Sequence, residues 1–79
     1  MTGYKMTTTQ AFQKCGFTIL VTDDRYIWRV EYKGKEYTIQ ECDGRVDWTP
    51  RYHITDNQTG EKVCTRANFR TAIQRIKAR

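Results

Sequence analysis

The 79 residues are 38% hydrophobic and 13% aromatic, which is enough for one small folded domain and too little for a second core. Fourteen Lys and Arg against nine Asp and Glu give a net charge of +5, which favours an acidic partner, nucleic acid above all. No apolar run approaches the roughly 18 residues of a membrane-spanning helix, and the N-terminus lacks a signal-peptide core, so we expect a cytoplasmic protein with no membrane partner.

The first predicted element is a short helix. Thr7 and Gln10 have the spacing of a capping box, with Thr7 as the N-cap. Phe12 belongs to a short apolar stripe, and Gly16 suits the position that ends the helix. A helix of this length depends on packing against the rest of the fold.

Alternating apolar and polar residues predict strands over residues 17–22, 26–33 and 36–42. Residues 26–33 alternate cleanly, and one face carries Tyr26, Trp28, Val30 and Tyr32. We interpret that aromatic face as the core face, covered by a helix. The opposite face carries Arg29 and is the polar one.

The alternation continues over residues 45–56, after the strong hairpin signal Asp43-Gly44. Pro50 interrupts it, which predicts an edge position or a bulge. Arg51 and His53 point outward in this pattern, and a short further strand is expected about Val63. The predicted fold is therefore α+β: a short N-terminal helix, an antiparallel meander of four or five strands, and a C-terminal amphipathic helix packed on one sheet face.

The last predicted element is a helix over residues 65–79, with Thr65 as the N-cap. Its apolar residues have the spacing of a stripe that faces the core: Phe69, Ala72, Ile73 and Ile76. At 100° per residue, Arg66, Arg70 and Lys77 fall on one flank of this stripe. Arg75 and Arg79 fall on the other flank.

The whole net charge lies in this helix. All nine acids precede Thr65, where nine bases balance them, and the last fifteen residues contain five bases and no acid. We therefore predict that the helix binds nucleic acid, DNA or RNA, with Arg29, Arg51 and His53 of the open sheet face as supplements. Two other interpretations stay open: contact with an acidic protein surface, or a helix with a merely soluble outer face.

No pattern predicts catalysis, a metal or a cofactor. The chain has no serine, one histidine and three cysteines without a CxxC pair, and its five glycines form no phosphate loop. A thiol–imidazole pair of His53 with Cys42 or Cys64 has no supporting motif, so His53 is interpreted as a strand-surface residue. We expect a binding protein with no enzymatic activity and no small-molecule substrate.

In element order the chain resembles a double-stranded-RNA-binding domain. Its last 34 residues are similar in layout to plant AP2-type and integrase N-terminal DNA-binding modules. These resemblances imply nucleic-acid binding without assigning residues. A compact, cofactor-free chain also resembles the small inhibitors that bacteriophages use, so the alternative function is a phage-type inhibitor that binds and blocks a host protein such as nucleic-acid-processing or defence machinery.

Overall fold

The computed structural model describes residues 8–24, 26–43 and 50–79. The elements in chain order are α1 (Thr8–Lys14), β1 (Thr18–Asp24), β2 (Ile27–Tyr32), β3 (Lys35–Asp43), β4 (Pro50–Asp56), β5 (Lys62–Ala67) and α2 (Phe69–Lys77). The strands form one antiparallel sheet in the order β1-β2-β3-β4-β5, so neighbours in the sheet are neighbours in the chain. The predicted α+β meander with a C-terminal helix is confirmed, and its strand count is five. The predicted N-cap Thr7 and the predicted turn at Gly44 lie outside the described residues.

Gly16 ends α1, as its position in the sequence predicts. Its φ of 98° is one that side chains disfavour, and its N–H donates to the carbonyl of Gln13 at 3.0 Å. The N–H of Phe17 donates to the carbonyl of Phe12 at 3.1 Å, which completes a Schellman motif. The two phenyl rings also pack together, with centroids 6.2 Å apart. This cap directs the chain from α1 into β1 on the core side.

A two-residue turn sets the register of the central strands. Lys33 and Gly34 have φ of 53° and 81°, as a type I′ hairpin turn requires, and Tyr32 pairs with Lys35 on either side of them. Pro50 is the first residue of β4 and pairs with β3, whereas the pairing of β4 with β5 ends at Tyr52. Proline is tolerated at the first residue of a strand when that residue is paired with a neighbouring strand on one side only.

The core lies between one face of the sheet and the two helices. Its buried apolar members are Phe12, Phe17, Trp28, Val30, Tyr37, Ile39, Tyr52, Ile54, Ala72, Ile73 and Ile76. Phe12 is fully buried, and its ring lies 5.4 Å from Trp28 and 5.3 Å from Phe69, measured between centroids. The indole N–H of Trp28 donates to the hydroxyl of Thr9 at 2.9 Å. The prediction that Tyr26 lies on this face is wrong, because Tyr26 precedes β2 in a turn and is half exposed.

The start of α2 also differs from the prediction. The helix begins at Phe69 and its N-cap is Asn68, whose side-chain oxygen accepts the N–H of Thr71 at 2.8 Å. Thr65 lies in β5, which continues as far as Ala67 because Ala67 pairs with Tyr52 of β4. Asparagine is a stronger N-cap than threonine, and pairing across the sheet holds the preceding residues extended.

Candidate nucleic-acid interface

The outer face of α2 is cationic. Ala72, Ile73 and Ile76 are buried against the sheet, whereas Arg70, Arg75 and Lys77 are exposed. Arg70 and Lys77 are seven residues apart, so they lie about 20° from each other around the axis and about 10 Å apart along it. The ammonium of Lys77 lies 5.9 Å from the centroid of the Tyr32 ring, which places this flank on the β2 side.

Arg75 marks the other flank of α2. Burial raises the pKa of the Cys64 thiol in β5, and the nearby charge of Arg75 partly offsets that rise. Arg75 therefore lies on the β5 side of the helix. Cationic side chains thus border the helix on both sides, and the first turn contains no acid.

Arg66 lies in β5 and not in the helix, so the predicted row of Arg66, Arg70 and Lys77 along one helix flank is wrong. Pairing of Tyr52 with Ala67 and of Ile54 with Cys64 leaves Thr65 and Arg66 together opposite one residue of β4, which is a β-bulge. Arg66 has a φ of 54°, a left-handed conformation that costs about 1 kcal/mol for a residue other than glycine. Its side chain is exposed two residues before the N-cap of α2.

Arg79 is engaged by two carboxylates. Its Nη2 lies 2.8 Å from Oε1 of Glu61 and 3.2 Å from Oδ2 of Asp56. The hydrogen bond that Arg79 donates to Glu61, together with the negative charges of both carboxylates, raises the pKa of Arg79. Because this guanidinium already neutralises acids within the fold, we leave it out of the proposed interface.

Arg29, Arg51 and His53 lie on the other side of the sheet from α2. Arg29 alternates with the buried Trp28 and Val30, and the Tyr52 and Ile54 that flank His53 are buried under α2. These three residues thus lie on the open sheet face, as the sequence predicts, and the sheet separates them from α2. Their role as supplements to the helix stays a prediction.

The charge of Arg29 is also balanced within the fold. Its Nε lies 2.9 Å from Oε2 of Glu36, and the same oxygen accepts the side-chain N–H of Asn57 at 3.0 Å. The hydrogen bonds from Asn57 and Arg29 lower the pKa of Glu36. The hydroxyl of Thr38 donates to the carbonyl oxygen of the Asn57 side chain at 2.9 Å, which completes a polar network on the open face.

His53 has a partner that no sequence motif indicates. Its Nε2 lies 3.3 Å from Sγ of Cys42, on the neighbouring strand β3. The sequence pattern places both residues on the outer face of successive strands, but it does not give the register that makes them neighbours. Residues 44–49, which connect β3 and β4, lie outside the described residues.

Comparison of this chain with protein-family models, with curated proteins and with solved structures gives no significant match. In the described part of the chain, neither helix has the length and apolar character that crossing a membrane requires. Across residues 8–24, 26–43 and 50–79, no group of three or more His, Cys, Asp or Glu side chains is placed to hold a metal ion.

Proposed function

We propose that this protein binds nucleic acid through a cationic surface formed by Arg66 at the end of β5 and by Arg70, Arg75 and Lys77 on α2. One observation carries the proposal. Within the described residues these four side chains make no ion pair with an acid, whereas Arg29 and Arg79 are each paired with one or two carboxylates. Unpaired cations grouped on one surface are the electrostatic pattern of a phosphate-binding face.

The positions of Arg66 and Arg70 argue against a merely soluble outer face. Both residues lie at the N-terminal end of α2, where the helix dipole disfavours positive charge. Arg66 also adopts a backbone conformation in which glycine would be less strained. Two arginines that each lower stability at these positions are more easily explained by a ligand of negative charge.

The dimensions limit the binding to a few phosphates. Arg70 and Lys77 span about 10 Å, and Arg66 and Arg75 add one contact each at most. Three neutralised phosphates give a slope of about −3 for the logarithm of the binding constant against the logarithm of salt concentration. We expect micromolar or weaker affinity without sequence preference, because phosphate contacts carry no direct base information.

Charge reversal tests the proposal. Fluorescence anisotropy of labelled duplex DNA and duplex RNA is measured at about 50 mM salt with the parent protein and with the double variant Arg70→Glu/Lys77→Glu. The double variant is expected to lose binding. The matched control Lys14→Glu/Lys62→Glu makes the same change of charge on exposed residues of α1 and the start of β5, and it should retain most of the binding.

The variant Arg66→Gly separates function from fold. Glycine relieves the left-handed strain at this position, so the variant should be at least as stable as the parent while binding more weakly. The proposal is contradicted if the parent binds neither DNA nor RNA at low salt, or if both double variants bind equally. Capture of one stoichiometric protein from a nuclease-treated lysate, by a parent that binds no nucleic acid, would support the phage-type inhibitor in its place.

A further inference from the structure

A thiol and an imidazole meet on the open face of the sheet, away from both helices. Gln40 pairs with His53 and Cys42 pairs with Arg51, so Cys42 and His53 are diagonal neighbours on β3 and β4. Their Sγ and Nε2 atoms are 3.3 Å apart, within hydrogen-bond range for sulfur. Both side chains are half-buried and therefore accessible to small molecules. In the tautomer whose Nε2 is unprotonated, the imidazole accepts the thiol proton.

Cationic residues share the open face with this pair. Arg51 is the cross-strand neighbour of Cys42. Arg29 of β2 and Lys62 of β5 lie on the same face, in the row formed by the pairs Arg29–Thr38 and Thr55–Lys62. The thiolate is the nucleophilic form of cysteine, and the imidazole 3.3 Å from the Cys42 thiol is placed to take the proton that forms it.

Two acids of β3, the strand that contains Cys42, have other partners in the fold. Glu36 is bound by Arg29 and Asn57. Glu41 alternates to the helix side of the sheet, where its charge and hydrogen bond act on Tyr52. Both helices pack on that side as well, so they place no charged group against the Cys42–His53 pair.

We propose that Cys42 is a modification site that undergoes thiol–disulfide exchange with low-molecular-weight disulfides such as oxidised glutathione, with His53 as the base. His53 takes the proton from the Cys42 thiol, and the resulting thiolate attacks one sulfur of the disulfide. The Cys42 S–S bond forms as the original S–S bond breaks, and the departing thiolate takes the proton from the imidazolium. No external oxidant is needed, because the disulfide is reduced as Cys42 is oxidised.

The other two cysteines lack these features. The thiol of Cys64 points toward the backbone carbonyl of Tyr52 at 4.0 Å, and burial raises its pKa. Cys15 packs against the core at the end of α1. Modification is therefore expected to be selective for Cys42 in the folded protein and to lose that selectivity in urea, where all three thiols are exposed.

The test follows adduct formation with oxidised glutathione on the whole protein, by intact mass and peptide mapping. Disulfide exchange by an ordinary thiol slows about tenfold for each pH unit below the thiol pKa. Because His53 assists the reaction at Cys42, we expect exchange there to slow less steeply between about pH 8 and pH 6. At about pH 6 the variant His53→Gln should react about tenfold more slowly at Cys42, with a smaller difference at about pH 9. The control Thr55→Val, on the same face and strand, should match the parent.

Two results would overturn the proposal. One is a parent protein in which Cys42 reacts no faster than Cys15 and Cys64 under native conditions. The other is a folded His53→Gln variant with the pH dependence of the parent, because accessibility alone would then explain the selectivity. If circular dichroism shows that His53→Gln is unfolded, His53→Asn is used for the same comparison, and the pH dependence of the parent still decides the question.

Discussion

The guanidinium of Arg79 lies 3.2 Å from the carboxylate of Asp56, whose side chain is only 3% exposed. This contact ties Arg79, the second residue after α2, to the last residue of β4. The backbone N–H of Gln58 donates to the same carboxylate at 2.9 Å. The fold tolerates this buried acid because both contacts satisfy its oxygens. One of the five bases in the last fifteen residues therefore stabilises the fold, whereas the other four make no ion pair with an acid in the part of the chain that the structure describes.

Arg79→Gln should reduce stability at neutral pH, and the loss should diminish in acid. Burial raises the pKa of Asp56, whereas hydrogen bonds from the backbone of Gln58 and Thr59 and from Arg79 lower it. The net effect is a pKa below the ordinary value of 3.8. A lowered pKa contributes stability above the unfolded-state value, and this stability is lost as pH falls through the folded-state value. Urea unfolding from neutral pH to about pH 3 should show the parent and the variant converging. A gap that stays constant with pH, or one equally large for Arg75→Gln, would contradict this account.

Tyr52 should make stability fall at alkaline pH. Burial, and then the negative charge of Glu41, raise the pKa of Tyr52 from 10.0 to about 12. A raised pKa contributes stability that is complete below the unfolded-state value and is lost as pH rises toward the folded-state value. Tyr52→Phe should cost about 1 kcal/mol at neutral pH, for its lost hydrogen bond, and should show a shallower decline above about pH 10. Urea unfolding between neutral pH and about pH 11 measures the loss at neutral pH and the decline in alkali. If the stability of the parent and of Tyr52→Phe declined equally steeply above about pH 10, the account of Tyr52 would be contradicted.

Phe12→Ala should destabilise the protein by about 3–5 kcal/mol, because this side chain is fully buried at the junction of both helices with the sheet. Leu20→Ala is the matched control on the edge strand β1, where Leu20 is 44% exposed, and should cost less than about 1 kcal/mol. The free energy of unfolding in urea provides the comparison. Equal losses would mean that the core is not centred on Phe12.

Asn68→Ala should cost about 1 kcal/mol, since it removes the side chain that accepts the N–H of Thr71. Thr65→Ala should have a smaller effect, because Thr65 is an exposed strand residue. Thermal unfolding of both variants distinguishes the two possible helix starts. A larger loss for Thr65→Ala would place the N-cap where the sequence pattern alone predicts it.

Local patterns in the sequence predicted the fold class and much of the core. The alternation of residues 26–33 identified Trp28 and Val30 as buried, and the stripe from Phe69 to Ile76 oriented α2. Gly16 marked the end of α1 because few other residues adopt its backbone conformation.

The errors concern contacts between residues that are distant in sequence. Whether Arg66 belongs to a strand or to a helix depends on the pairing of β5 with β4, and the ion pair of Arg79 joins residues 23 positions apart. By contrast, the outward position of His53 was predicted correctly from the alternation of residues 45–56, and the buried Tyr52 and Ile54 on either side of it agree with that position. That alternation already separates His53 from any helix packed on the core.

The salt dependence of nucleic-acid binding tests the central claim most directly. Binding constants of the parent and of the single variants Arg66→Gln, Arg70→Gln, Arg75→Gln and Lys77→Gln are measured from about 50 to 200 mM salt on one labelled duplex. The account predicts a slope of about −3 for the parent and a slope shallower by about one for each variant whose side chain contacts a phosphate. Arg29→Gln, which removes a cation paired with Glu36 on the opposite face, should leave the slope unchanged. A parent that does not bind at the lowest salt, or a slope that responds to Arg29→Gln and to none of the four, would contradict it.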